Sequence, residues 1–77
     1  MTRYDILLVH GGNFLHVTSV LSKLAGISCM EAKNIYRETK VHRKYVIFSN
    51  LTYHEMLKIC IELRKNNVKY ETNEKEC

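Results

Sequence analysis

The side chains of this sequence that could do acid–base or metal chemistry are its histidines and cysteines. The histidines are scattered, at His10, His16, His42 and His54. None of them accompanies a pair of carboxylates that could share a proton-transfer step. The cysteines, Cys29, Cys60 and Cys77, are odd in number and far apart, which fits neither a disulfide framework nor a zinc knuckle. The sequence therefore predicts no enzyme, no cofactor and no metal site, with Cys29 and Cys60 buried as small hydrophobic residues.

The densest group of charges is a basic run in the middle of the chain. It consists of Lys33, Arg37, Lys40, His42, Arg43 and Lys44. Residues 1–70 carry eleven Lys or Arg against five Asp or Glu, whereas the last seven residues carry one lysine and three glutamates. A basic body with such a run suits an anionic partner, but the same pattern is typical of a solvated helix face. Both interpretations stay open at this point.

A glycine pair follows the first apolar run, in the segment His10-Gly11-Gly12-Asn13. Backbone N–H groups in such a turn can cradle a phosphate or an oxyanion. The segment does not continue as a dinucleotide-binding or P-loop motif, and no nucleophilic serine lies in it. The alternative is a structural turn, with Asn13 capping the helix that follows.

The elements that must position these groups are organised around the corner Gly26–Tyr36, read GISCMEAKNIY. Gly26 can take the left-handed conformation that ends a helix. Ser28 and Glu31 have the spacing of a capping box, which starts the next helix. Apolar residues at helical spacing predict a helix over 14–25 and a second from Cys29 to about Thr39, with Thr18, Ser19, Ser22 and Lys23 on the solvent side of the first.

Three short runs predict strands, at 4–9, 45–48 and 68–72. We expect the first to be central and the second to lie near an edge, with a turn at Ser49 and Asn50. Thr52 and Glu55 form a second capping box, which opens an amphipathic helix that Asn66 and Asn67 close. The predicted fold is α+β, a two-layer sandwich of order β-α-α-β-α-β with three helices on one face of a three-stranded sheet. Residues 1–72 form one domain, and 73–77 a frayed polar tail.

No apolar run reaches the ~20 residues that span a bilayer, and the first residues lack a signal-peptide pattern. We therefore expect a cytoplasmic protein without a membrane partner.

The corner GISCMEAKNIY, the opening strand YDILL and the segment EMLKICIELRKNNVKYE resemble the C-terminal domain of the bacterial ribosomal stalk protein. The same fold occurs in ClpS, the adaptor of the bacterial Clp protease. The resemblance covers about residues 4–72, and its most specific part is Gly26, Ile27, Glu31, Ala32 and Lys33.

The resemblance implies a protein-docking module of the translation or proteolysis machinery. The stalk domain binds its partners through the exposed face of its first two helices, with basic residues around an apolar patch. Lys33 matches one of those lysines, while Thr18, Ser19 and Ser22 replace basic residues of the first helix. The acidic segment that ClpS uses for substrate binding is replaced by His10-Gly11-Gly12, although His42 lies near the position of its histidine.

Two functions follow as alternatives. The first is a protein-binding module that uses the face of the first two helices, or an exposed strand edge. Its predicted binding residues are Ser19, Ser22, Lys23 and the basic run, Lys33, Arg37, Lys40, His42, Arg43 and Lys44. The second is a nucleic-acid or ribosome-associated protein that binds phosphate through residues 33–44, with Tyr36, Tyr45 and Tyr53 stacking on unpaired bases. The oligomeric state is left open.

Overall fold

The structure is a computed structural model that describes residues 1–76. Its elements are β1 (Thr2–Val9), α1 (Phe14–Ala25), α2 (Cys29–His42), β2 (Lys44–Leu51), α3 (Tyr53–Lys65) and β3 (Tyr70–Glu76). This is the predicted order β-α-α-β-α-β, with three helices packed on a three-stranded antiparallel sheet. The predicted α+β fold is confirmed.

β1 is the central strand, between β2 and β3. Leu8 lies opposite Tyr45 of β2 and Tyr70 of β3. Since side chains alternate along a strand, Ile6 and Leu8 point to the helices and are fully buried, and Leu7 points to the other face. That second face carries no helix, and we refer to it as the open face.

The core lies between the helical layer and the buried face of β1. Its members are Ile6, Leu8, Val17, Val20, Leu21, Ala32, Tyr36, Met56, Cys60, Leu63 and Val68. Burial of each large aliphatic side chain is worth about 1.5–3 kcal/mol. The two layers are therefore held together by the apolar positions that the helical and strand periodicities predict.

The corner between α1 and α2 has the predicted chemistry in part. Gly26 takes the left-handed conformation, with φ of 64°, and the Ser28 side chain accepts the backbone N–H of Glu31 at 3.2 Å. Only this half of the Ser28 capping box forms in the described chain. At α3 both halves form, between Thr52 and Glu55. The hydrogen bonds from Thr52 to the Glu55 carboxylate lower its pKa below the ordinary value.

α2 extends beyond its predicted end at Thr39, to His42. Arg43 then takes a φ of 70°, and its N–H donates to the Thr39 carbonyl at 2.8 Å. A non-glycine residue closes this helix in a conformation that usually favours glycine, so the sequence gives no obvious stop signal there.

The predicted turn at Ser49 and Asn50 is wrong, because both residues belong to β2. Irregular pairing with β1 around Asp5 and Ile6 accommodates extra residues of β2, and Asn50 has a φ of 58°. The Asp5 carboxylate accepts the Asn50 backbone N–H at 3.1 Å. A buried side chain of β1, 45 residues away in the sequence, thus holds within the strand a segment whose composition is typical of turns.

The predicted frayed tail is wrong for residues 73–76, which form most of β3. The ladder runs without irregularity from Leu8 opposite Tyr70 to Thr2 opposite Glu76. The polar sequence suggested fraying, but backbone pairing with a central strand does not require apolar side chains. Cys77 lies outside the described residues.

Several side chains differ from their predicted burial. Cys29 is exposed, whereas Cys60 is buried as expected. Thr18, assigned to the solvent side, is buried, and its hydroxyl donates to the Leu15 carbonyl at 3.1 Å. That bond satisfies the hydroxyl within the helix, so the residue can be buried.

No helix within residues 1–76 is both long enough and apolar enough to cross a membrane.

Candidate binding surface on the first two helices

A groove of about 630 Å³ lies between α1 and the start of α2. It is lined by Leu15, Thr18, Ser19, Ser22, Lys23, Cys29 and Lys33. A second depression of about 460 Å³ adjoins it and shares two of these residues; it is lined by Cys29, Met30, Lys33, Asn34 and Arg37. We call the two together the α1–α2 groove.

The α1–α2 groove combines apolar side chains with positive charge. Leu15 and Met30 are 69% and 73% exposed, one in each of the two adjoining depressions. Lys23, Lys33 and Arg37 supply three cations, and no acidic residue lines either depression. A surface of this kind can bury apolar side chains of a partner while its rim attracts carboxylates.

Helical geometry explains why these residues meet. On α2, Ala32, Tyr36 and Thr39 are the buried positions. Lys33 and Arg37 each follow one of those positions by a single residue, so they line one flank of the buried face. On α1, Ser19 and Ser22 lie on the turns next to Leu15, and the corner at Gly26 brings the two flanks together.

The two predicted serines have different environments. The Ser22 hydroxyl donates to the Ile27 carbonyl at 2.7 Å and so closes the corner. Ser19 is exposed and lies between the α1–α2 groove and a further groove, toward α3, that also contains Glu62. The structure therefore gives Ser22 a role in holding the groove wall, and Ser19 a position at its rim.

The basic run does not form one patch. Lys40 lies seven residues after Lys33, on the same flank of α2. His42 is on another side of the helix, where its Nε2 lies 3.5 Å from the Glu38 carboxylate.

Arg43 and Lys44 are separated further from the groove. The Arg43 carbonyl accepts the His10 N–H at 2.8 Å, which joins the end of α2 to the end of β1. Lys44 lies on the open face, and its ammonium is 2.6 Å from the Glu71 carboxylate. The structure thus brings together Lys23, Lys33 and Arg37, and leaves His42, Arg43 and Lys44 elsewhere.

The tyrosines predicted as stacking platforms do not share a surface either. Tyr36 is 6% exposed, its hydroxyl donates to the Gly12 carbonyl at 3.0 Å, and its ring packs against Phe14. Tyr45 lies on β2 opposite Leu8, and Tyr53, at the start of α3, packs against Tyr4.

The glycine turn is built as a structural connection. Gly11 and Gly12 have φ of 144° and 81°, and a Cβ on Gly12 would lie 3.2 Å from Val17. Asn13 caps α1 by accepting the His16 N–H at 3.1 Å. The Tyr36 hydroxyl donates to the Gly12 carbonyl and so ties the turn to α2, while the Asn13 cap agrees with the helix-capping interpretation.

The exposed apolar residues of the groove were missed from the sequence. The predicted binding residues do not include Leu15 or Met30, and Cys29 was predicted to be buried but is exposed. The width of the apolar stripes on α1 and α2 is the sequence signal for this exposure, since a helix that packs on one side only buries the middle of a wide apolar stripe and leaves its margin exposed.

Within residues 1–76, no three His, Cys, Asp or Glu side chains are close enough together to hold a metal ion. The chain matches no protein-family model, and no curated protein matches it in sequence.

Proposed function

We propose that this protein is a small non-catalytic docking module that binds an acidic, partly apolar segment of a protein partner in the α1–α2 groove. The observation that carries the proposal is the coincidence of exposed Leu15 and Met30 with Lys23, Lys33 and Arg37 in one groove without acidic residues.

Each part of the groove has a defined task in this proposal. Burial of Leu15 and Met30 against apolar side chains supplies affinity in proportion to the area removed from water. The cations select a partner with Asp or Glu at the edge of its apolar anchors, and they speed association. Cys29 lines both depressions, where its small side chain leaves room for an anchor.

The resemblance to the ribosomal stalk domain and to ClpS stays a prediction, and with it a partner from the translation or proteolysis machinery. That resemblance implies the same face of the first two helices as a docking surface. The α1–α2 groove supports the same face independently of the resemblance, because it is identified only from the exposure and charge of its lining residues.

A nucleic-acid function has less support. It requires a continuous basic track with accessible rings, whereas Tyr36 is buried and Lys44 is paired with Glu71 on the open face. The two functions differ in salt dependence, since phosphate binding weakens steeply with salt and apolar docking much less.

The experiment is selection of random peptides displayed on phage against the full chain, followed by NMR of the protein with an enriched synthetic peptide. We expect enriched sequences to combine Asp or Glu with Leu, Ile or Phe. Amide shift changes should then concentrate between residues 15 and 37.

The matched variants are Lys33→Glu and Lys58→Glu, which reverse an exposed lysine in the middle of α2 and of α3. Lys33→Glu should weaken the selected peptide by about tenfold, whereas Lys58→Glu should leave its affinity within about twofold. Equal effects of the two variants, shift changes outside the groove, or tighter binding of single-stranded oligonucleotides than of any peptide would overturn the proposal.

A further inference from the structure

The outer edge of β3 is uncovered by any described segment, and its backbone groups can be assigned from two hydrogen bonds of β1. Val9 donates its N–H to Lys69 beside β3, and His10 donates to Arg43 beside β2. Alternate residues of a strand bond to opposite neighbours, so odd-numbered residues of β1 bond toward β3. Their partners on β3 are also odd-numbered: Glu71, Asn73 and Lys75.

The even-numbered residues of β3 therefore point their N–H and C=O groups away from the sheet. These are Tyr70, Thr72, Glu74 and Glu76. They form a regular row of donors and acceptors, since the β1–β3 ladder contains no bulge. The other edge differs, because β2 has two irregularities and a left-handed residue at Asn50, which are features that prevent edge pairing.

We propose that β3 pairs antiparallel with β3 of a second copy of this chain, centred on Asn73, so that two sheets join into one of six strands. When β3 pairs with β3 of a second copy, the residues whose backbone groups point outward must lie opposite one another. The twofold axis between the two strands must therefore pass through a residue and not between two residues. Centring on Asn73 sets Thr72 opposite Glu74 and Tyr70 opposite Glu76 as the hydrogen-bonded pairs.

The same register is the one that complements charge. Glu71 then lies opposite Lys75 of the second copy, and Lys75 opposite Glu71, at non-hydrogen-bonded positions where facing side chains approach most closely. A centre at Thr72 would set Lys69 opposite Lys75, and a centre at Glu71 or at Glu74 would set glutamate against glutamate. The order of residues in β3 thus favours one register over its neighbours.

Both charges of the new pairs lie on the open face, where each already has a partner within the chain. Glu71 is 2.6 Å from Lys44, and Lys75 is 3.6 Å from Asp5. Pairing of two copies would therefore build a row of alternating charge from Lys44 through Glu71 to Lys75 and Asp5 of the second copy.

The α3 helix carries a row of exposed apolar side chains. Tyr53, Leu57 and Ile61 follow one another at four-residue spacing on α3 and are 53%, 38% and 58% exposed. Arg64, seven residues after Leu57, donates to the Tyr70 hydroxyl at 3.2 Å, so the end of this side of α3 is tied to the start of β3.

The experiment measures association of the full chain by sedimentation velocity over a range of concentrations, in a reducing buffer because Cys29 is exposed. The wild type should dimerise reversibly. Glu71→Lys and Lys75→Glu should each weaken the dimer by about tenfold, because each sets two like-charged pairs across the joint. An equimolar mixture of the two variants should dimerise again, since both mixed pairs are then of opposite charge.

A backbone test uses Thr72→Pro, which removes an outward N–H without removing a bond to β1, and Thr72→Val as its control. The proline variant should keep the circular dichroism spectrum of the wild type and lose dimerisation, whereas the valine variant should keep both. The proposal is overturned by a wild type that stays monomeric at millimolar concentration. It is equally overturned by a dimer that tolerates Thr72→Pro, or by a mixture of the charge variants that stays monomeric.

Discussion

The buried carboxylate of Asp5 on β1 accepts the backbone N–H of Asn50 on β2 at 3.1 Å, at the point where the pairing of the two strands becomes irregular. Its second oxygen lies 3.6 Å from the Lys75 ammonium of β3. One side chain of the central strand thus contacts both of its neighbours.

We predict that Asp5→Ala lowers the free energy of unfolding by about 1–3 kcal/mol, because it leaves the Asn50 N–H without an acceptor. Asp5→Asn should cost less, since its amide oxygen can still accept that bond. Urea denaturation followed by circular dichroism measures both changes. Equal loss in the two variants would show that charge, and not the hydrogen bond, is what matters at Asp5.

Gly26→Ala should lower the free energy of unfolding by about 1 kcal/mol. A Cβ at this position would meet no atom within 4 Å, so the cost comes only from the left-handed backbone at φ of 64°. Gly26→Asn should cost less, since asparagine tolerates that conformation better. Thermal and urea unfolding of the two variants check the order. A larger loss in the asparagine variant would contradict a purely conformational cause.

Stability should fall in acid partly through Glu55. Its folded-state pKa lies below the ordinary value of 4.5, so ionised Glu55 favours the folded state above pH 4.5, and this contribution is lost as the pH falls through the folded pKa. Glu55→Gln should therefore be less stable than the wild type near neutral pH, with a difference that shrinks in acid. Urea unfolding of both proteins across this range measures the difference. A constant difference would contradict the assignment to charge.

Leu15→Ser with Met30→Ser should reduce the affinity for a peptide selected against the α1–α2 groove by about tenfold while changing the free energy of unfolding by less than about 0.5 kcal/mol. Both side chains are mostly exposed, so the folded state gains little from them. Leu21→Ala is the contrast, because Leu21 is fully buried and its truncation should cost about 2–5 kcal/mol. Calorimetric titration and urea unfolding separate the two effects.

The order of elements was predictable because its signals are local. Gly26, Ser28 and the Thr52–Glu55 box act within one helical turn, and each marks a boundary that the structure shows. The sequence alone failed where a distant residue decides the outcome. Asn50 stays in a strand because Asp5 accepts its N–H, and residues 73–76 are ordered because β1 pairs with them.

The same distinction between local signals and distant residues applies to the candidate site. Lys33 and Arg37 belong to the predicted basic run, and the structure places them beside Lys23. The separation of Lys44 from this group depends on a strand that turns its side chain to the opposite face of the sheet. The basic run begins on α2 and ends on β2. Because side chains change direction with a different period on a helix and on a strand, the run is divided between two surfaces.

The central position of β1 has a consequence for how the chain folds. The strand nearest the amino terminus cannot complete its hydrogen bonds until both β2 and β3 have been synthesised, since each of its neighbours lies later in the sequence. Pairings of this kind close long loops, which slows the search for the native state, whereas the contacts of α1 with α2 are local and fast. The helical hairpin should therefore form first on the ribosome, and the sheet should assemble only after β3 has left the exit tunnel.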